Sequence, residues 1–438
     1  MRNVLVIGAG AAGLMAAAAA SQTGCRVTVL EKNEKAGKKI YITGKGRCNF
    51  TNVCAPEDFF SNVRRNSRFM YSSFYGMTNE DVMAFFESAG MKVKVERGNR
   101  AFPMSDHASD VTGSLLRILN RQGVQIRYGT QVRHILLAED EEGKERAAGV
   151  LLADGSRIGA EAVIVCCGGL SYPTTGSTGD GYLFAQETGH SVTDRFPSLV
   201  PLRVREVEMC AQMQGLSLKN VSLRMTQGKK TLYEEQGEML FTHFGVSGPL
   251  VLTASTLLPL LKKGKEKAQV PARKTDPDAG FDFKDLLLHI DLKPALTEKQ
   301  LDARLLREIS DAENRHVKNI LGKLYPAKMV PVMIERSGID PETKCHSLTR
   351  LQREALIRET KDFCLAVTGT GGFGEAIITR GGVDVKQVRP DTMESKIVPG
   401  LYFAGEVLDV DAVTGGFNLQ IAWSTGAAAG RGAAMEPS

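Results

Sequence analysis

The most constraining feature is Gly8-Ala9-Gly10-Ala11-Ala12-Gly13 with its surroundings. An apolar strand, Asn3 to Ile7, precedes it, and an alanine-rich helix, Ala11 to Gln22, follows. A second strand, Arg26 to Leu30, ends in Glu31, 18 residues after Gly13. A lone G-x-G-x-x-G is weak, but this strand–turn–helix–strand setting gives it a mechanism. Gly8 permits the tight turn, Gly10 lets backbone approach a pyrophosphate, and Gly13 lets the helix pack on the sheet. The helix N-terminus favours phosphate. Glu31 is placed to accept from a ribose 2′-hydroxyl and would repel a 2′-phosphate, which disfavours NADP there.

Composition sharpens this reading. The chain has 438 residues and 45 glycines, about 10% against a usual value of roughly 7%. Of these, 26 fall in four stretches, 1–50, 165–190, 369–382 and 400–432. They are expected to converge around one dinucleotide. The net charge of +5 is mild and spread along the chain, which argues against a nucleic-acid partner. The eight cysteines show no C-x-x-C pair and no zinc spacing, so no metal is expected. No apolar run reaches the roughly 18 residues of a membrane helix. A cytoplasmic protein with no membrane partner is expected; the oligomeric state is not readable.

The other glycine stretches separate FAD from NAD. Val132–Ala138, Ala148–Ala153 and Ala162–Val165 read as a three-stranded meander ending at Cys166-Cys167-Gly168-Gly169. Gly400-Leu401-Tyr402-Phe403-Ala404-Gly405-Glu406 is a strand, a glycine and then a carboxylate suited to ribityl hydroxyls. Gly415 and Gly416 open a helix through Phe417, Asn418, Leu419 and Gln420, whose first N–H groups suit the electron-rich edge of a reduced flavin. Further helices are expected at Glu57–Tyr71, Asn79–Ser88, Asp110–Arg121, Thr297–Leu324, Lys328–Ser337 and Thr349–Thr360. Thr78 and Asp81 suit a capping box for the second of these.

Four longer stretches carry a family resemblance: Gly37–Asn52 (GKKIYITGKGRCNFTN), Gly168–Gly181 (GGLSYPTTGSTGDG), Gly237–Pro249 (GEMLFTHFGVSGP) and Gly400–Gln420 (GLYFAGEVLDVDAVTGGFNLQ). With them the chain resembles the BaiN-like (aminoacetone-oxidase-like) family of bacterial FAD-dependent oxidoreductases. Ala412 stands where that family usually has glycine, and Phe417 where tyrosine is commoner. The resemblance implies an α/β fold: a discontinuous Rossmann-like FAD-binding domain over 1–190 and 362–438, with an insert over 191–361. The insert is expected to be strand-rich and barrel-like over 191–295 and helical over 296–361. Besides Gly8, Gly10, Ala11, Ala12, Gly13 and Glu31, the resemblance places FAD against Lys32, Lys39, Arg47, Cys48, Asn49, Val132, Gly168, Gly405, Glu406 and Gly416–Gln420.

Flavin N5 carries the hydride chemistry and the protein supplies orientation and protons. His243, in Thr242-His243-Phe244, and Tyr172, in Ser171-Tyr172-Pro173, are the candidate catalytic residues. Lone residues of these types are more often structural. No second G-x-G-x-x-G is present, so NAD(P)H is expected only as a transient reductant. The expected activity is hydride transfer to a small-molecule substrate, a C=C bond conjugated to a ketone in an oxo-bile-acid or steroid-like enone. The alternatives are an FAD-dependent oxidase of a small amine such as aminoacetone, and an FAD-binding RNA-associated protein. The last rests on the charge and on the basic run Lys262–Lys267, which has no interleaved aromatics.

Overall fold

The computed structural model describes residues 1–140, 143–258, 260–261 and 276–435. The basic run Lys262–Lys267 lies outside the described residues. The chain divides into two compact units. The first comprises Met1–Pro197 and Ala376–Ser438, together with the segment Ala268–Asp276. The second comprises Ser198–Lys267 and Pro277–Glu375.

The first unit is built on a five-stranded parallel sheet of Rossmann type. Its strand order is Leu401–Phe403, Ala162–Val165, Asn3–Ile7, Arg26–Leu30 and Gln125–Arg127. Ala162–Val165 was expected to close the meander. It instead pairs in parallel with the first strand, Val4 opposite Ala162 and Ile7 opposite Val165. All four of its residues are buried, and an unbroken apolar run suits a strand covered on both faces. The meander is completed by Arg157–Gly159, beside Val132–Glu139 and Glu145–Leu152.

Two small-residue helices cross closely over this sheet. A Cβ on Gly426 would lie 2.4 Å from the Ala12 carbonyl oxygen, and one on Gly430 would lie 2.3 Å from that of Ala16. The alanines of Ala11–Ser21 and the glycines of Phe417–Ala434 thus serve one purpose, backbone-to-backbone packing. Trp423, fully buried on the second helix, donates from Nε1 to the Phe50 carbonyl at 2.8 Å and ties down the Gly37–Asn52 segment. The expected Glu57–Tyr71 helix is interrupted. Val63–Arg65 is extended and pairs with Asp411–Ala412, and Asn66 adopts a positive φ. Asn79–Ser88 carries the expected capping box between Thr78 and Asp81.

The second unit contains a closed six-stranded barrel. Its order is Leu202–Val204, Gly245–Ser247, Lys230–Thr242, Ser217–Gln227, Leu286–Asp291 and Phe363–Thr370, which returns to Leu202–Val204. Leu286–Asp291 alternates buried and half-buried positions, the period a barrel wall requires. Phe363–Thr370 is the closing strand, so the barrel claims residues beyond position 361, where the insert was expected to end. The expected Thr297–Leu324 helix splits into Glu298–Ser310 and Val317–Leu321. The link between them pairs with another segment, Cys345 N–H donating to the Arg315 carbonyl and Val317 N–H to that of Thr343. One glycine stretch is also divided. Gly369, Gly371 and Gly372 pack against Asp278, Pro201 and Pro277 in the barrel unit, whereas Gly381 and Gly382 belong to the Rossmann unit. The stretch 369–382 is therefore shared between the two units.

Candidate FAD site in the Rossmann unit

The three fingerprint glycines have three different surroundings. Gly8 has φ +102°, and a Cβ on it would lie 2.6 Å from the Cys166 carbonyl oxygen. A Cβ on Gly13 would lie 1.9 Å from the Gly8 carbonyl oxygen. Around Gly10 the corresponding space is open to 4 Å. The turn, the close helix–strand contact and the gap for a pyrophosphate are therefore all built. Glu31, 7% exposed, accepts from Ala9 N–H at 2.8 Å through Oε2. Its Oε1 accepts from the Asn33 backbone N–H and side-chain amide at 2.8 and 2.7 Å. A carboxylate offers about four acceptor positions, which leaves room for one ribose hydroxyl. Thr130 N–H donates to the Glu31 carbonyl, so the segment leading to Val132 runs beside this carboxylate. Lys32 is held by Asp180 at 2.7 Å and by Thr178 at 2.5 Å.

The C-terminal stretch builds the other end. Gly405, with φ +77°, comes so close to the first helix that a Cβ would sit 2.7 Å from that of Ala12. Three donors converge on Glu406: Lys39 Nζ at 2.6 Å, Ser171 Oγ at 2.5 Å and the Thr379 backbone N–H at 2.9 Å. Ser171 and Thr379 were not found by sequence reasoning. A Cβ on Gly169 would lie 2.4 Å from Thr379 Oγ1 and 2.9 Å from Glu406 Oε1. Gly168 has φ +70° and faces Ser177. Gly416, with φ +99°, rests on Thr51 and on Asn49 Oδ1. That Asn49 oxygen is buried and has no hydrogen-bond partner among the described residues. A buried acceptor left this way costs free energy unless something outside the chain donates to it. The hydroxyls and ring N–H of a flavin are such donors, and the first-turn N–H groups of the Phe417–Ala434 helix point to an acceptor outside the helix. The open Gly10, the unpaired Asn49 oxygen and these amides fit FAD.

Four residues expected at FAD have partners or burial of their own. Asn418 spends its side chain on the Ala412 N–H and the Ala412 and Val413 carbonyls. Gln420 accepts from Thr51 and donates to the Met77 carbonyl and to Ser424. Both amides are bonded within the chain through oxygen and nitrogen alike, so these residues brace the helix start. Arg47 is committed to Glu96 and Asp106, with its guanidinium 4.3 Å from the Phe102 ring centre. Cys48 is buried at φ +57°, and burial pushes its thiol up to about 12. It is a neutral thiol at physiological pH, so thiolate chemistry is excluded there. Phe417 is buried and Leu419 half-buried against the core.

Tyr172 directly follows Ser171 in the Rossmann unit, half-buried with φ +49°. His243 is exposed on the barrel unit, in the turn between Lys230–Thr242 and Gly245–Ser247, its ring edge-on to Phe244 at 4.9 Å. A second missed group lies in the Rossmann unit. Arg65 grips Asp409 through Nη2 at 2.8 Å and Nε at 2.5 Å. Beside them Asp411 is 2% exposed, and its Oδ1 has no hydrogen-bond partner among the described residues. Burial raises its carboxyl to about 6, opposed by Arg380 and reinforced by Asp409. The signal in the sequence was Thr379-Arg380-Gly381-Gly382, which stood out only for its glycines.

Among the described residues no group of three or more His, Cys, Asp or Glu could hold a metal ion. No helix among them is long and apolar enough to cross a membrane.

The family model described as HI0933-like protein Rossmann domain matches residues 2–432. A 3-dehydro-bile acid delta(4,6)-reductase of Clostridium scindens is 34% identical, with all of both chains covered. Ribosomal RNA dihydrouridine synthases of Escherichia coli and Haemophilus influenzae are 30% and 31% identical. The alignments cover 97% and 96% of this chain, respectively, and 96% of each relative. Among solved structures, a 3-ketosteroid-delta4-(5alpha)-dehydrogenase of Rhodococcus jostii aligns over 99% of this chain and 97% of its own, at 14% identity and TM-score 0.46. That likeness is too remote to add to the assignment. The chain belongs to the HI0933-like (BaiN-like) family, and it is an FAD-dependent oxidoreductase built on that family's Rossmann-type domain.

Proposed function

We propose that the chain reduces a C=C bond conjugated to a ketone, on an oxo-bile-acid or other steroid-like enone, with NAD(P)H as ultimate electron donor. The observation that carries this reading is the end-to-end 34% identity to the bile acid delta(4,6)-reductase. Bound FAD supplies a hydride at N5 for the β-carbon of such an enone. The chain's own work is to hold the cofactor through Gly10, Glu31, Asn49 and Glu406, and to hold and deliver the second hydrogen as a proton. Tyr172, in the Rossmann unit, is the proposed donor of a hydrogen bond to the substrate oxygen.

A second reading replaces the steroid with a uridine of RNA. The two rRNA dihydrouridine synthase relatives favour it. Its bond is of the same class, since the reducible C=C of uracil is conjugated to a carbonyl. The purified protein is incubated without oxygen with NADH or NADPH and a steroidal enone, an rRNA fragment or aminoacetone. The steroidal enone is expected to gain two hydrogens by mass. A gain confined to RNA would transfer the assignment to the second reading, and amine loss that requires oxygen would make the protein an oxidase.

A further inference from the structure

Asp411 pairs through its strand with Arg65, and the charges of Arg380, Asp409, Arg65 and Arg64 act on its carboxyl. Asp409 is already neutralised by the two-point grip of Arg65. Asp411 receives no hydrogen bond at Oδ1, although the residue is almost wholly buried. An ionised carboxylate left this way inside a protein costs several kcal/mol, so the neutral acid is favoured.

The position of this acid is specific. Its neighbour Ala412 is bound on both backbone groups by Asn418, in the first turn of the helix that opens at Gly416. Arg380 follows Thr379, whose N–H donates to Glu406. Asp411 and Arg380 are thus each one residue from a wall of the proposed FAD cradle.

We propose that Asp411 is the group that delivers the proton in the reduction. This rests on the reading of the chain as a reductase of conjugated C=C bonds. As the β-carbon gains hydride, the electron pair of the double bond moves toward the carbonyl. The α-carbon then takes the proton from the Asp411 carboxyl, and its O–H bond breaks. The carboxylate left behind is favoured by the positive charge of Arg380 and takes its next proton from water. The two electrons come from the reduced flavin that the oxidoreductase activity requires.

The test uses the full-length, FAD-loaded protein with a steroidal enone from about pH 5 to 9. Asp411→Asn is expected to retain FAD, lose about 100-fold or more in kcat, and lose the fall in rate with rising pH. Arg380→Gln removes the cation that favours the carboxylate, so the same fall is expected at higher pH. Infrared titration without substrate is expected to show one protonated carboxyl that is absent in Asp411→Asn. An Asp411→Asn enzyme within about twofold of wild type, an unmoved pH profile in Arg380→Gln, or a carboxyl band that survives Asp411→Asn would overturn the proposal. If Asp411→Asn does not fold, Arg380→Gln decides. A wild-type enzyme that reduces no enone defeats the reductase reading instead, while the infrared band still reports on Asp411.

Discussion

Glu406 and Asp411 stand five residues apart on one C-terminal stretch, yet their corners of the Rossmann unit are built in opposite ways. Glu406 is met by three donors, from Lys39, Ser171 and Thr379, drawn from distant parts of the chain. Asp411 is buried with an oxygen that no described residue reaches. A carboxylate supplied with donors is a fixed acceptor, suited to holding hydroxyls. A carboxyl deprived of them holds its proton to higher pH and can give it up. On the proposed function, that difference assigns holding to Glu406 and reacting to Asp411.

Glu406→Gln tests the holding corner. It sets an amide opposite three donors and leaves Lys39 without its carboxylate. FAD affinity is expected to fall about 10- to 100-fold, measured by fluorescence titration of the FAD-free protein. Equal affinity would remove Glu406 from the cradle. For the other corner, Asp411 is raised in the folded state to about 6 from its ordinary value of 3.8. The folded form therefore binds the proton more tightly than the unfolded chain. Its stabilising contribution is full below the unfolded value and is lost as pH rises through about 6. Asp411→Asn is expected to remove a decline of about 3 kcal/mol between roughly pH 4 and 6, read by urea unfolding across pH. Glu406→Gln should leave that decline in place.

Lys39→Met withdraws one of the three donors at Glu406 and is expected to cost about 1–2 kcal/mol of FAD binding, less than Glu406→Gln. A larger loss would mean that Lys39 touches the cofactor itself. The smallest effect belongs to a site outside both corners. Thr78→Ala breaks the capping box with Asp81 and should cost about 1 kcal/mol of stability. FAD affinity and the pH profile should stay unchanged.

Much of the holding corner was legible in the sequence because glycine has few reasons to recur at fixed spacing. Gly8, Gly10 and Gly13 each have the surroundings their positions implied, and the Gly405-Glu406 pair was found from strand, glycine and carboxylate alone. Local pattern misled where pairing is non-local. Ala162–Val165 looked like the next strand of a meander, yet it lies in the parallel sheet. Phe363–Thr370 closes a barrel whose other strands begin about 160 residues earlier. Asn418 and Gln420 were placed in the right turn, but their side chains are spent on neighbours that no spacing reveals. Asp411 was hidden for the same reason. A lone aspartate carries no signal until folding removes its water and withholds its donors.

The most direct test of a conjugated C=C reductase uses one turnover. FAD-loaded protein is reduced without oxygen and mixed rapidly with a steroidal 4-en-3-one while the flavin absorbance is followed. The oxidised flavin band should return at a rate that saturates with enone, with the saturated ketone as product. Flavin that stays reduced with every enone and reoxidises only in air would contradict the proposed function.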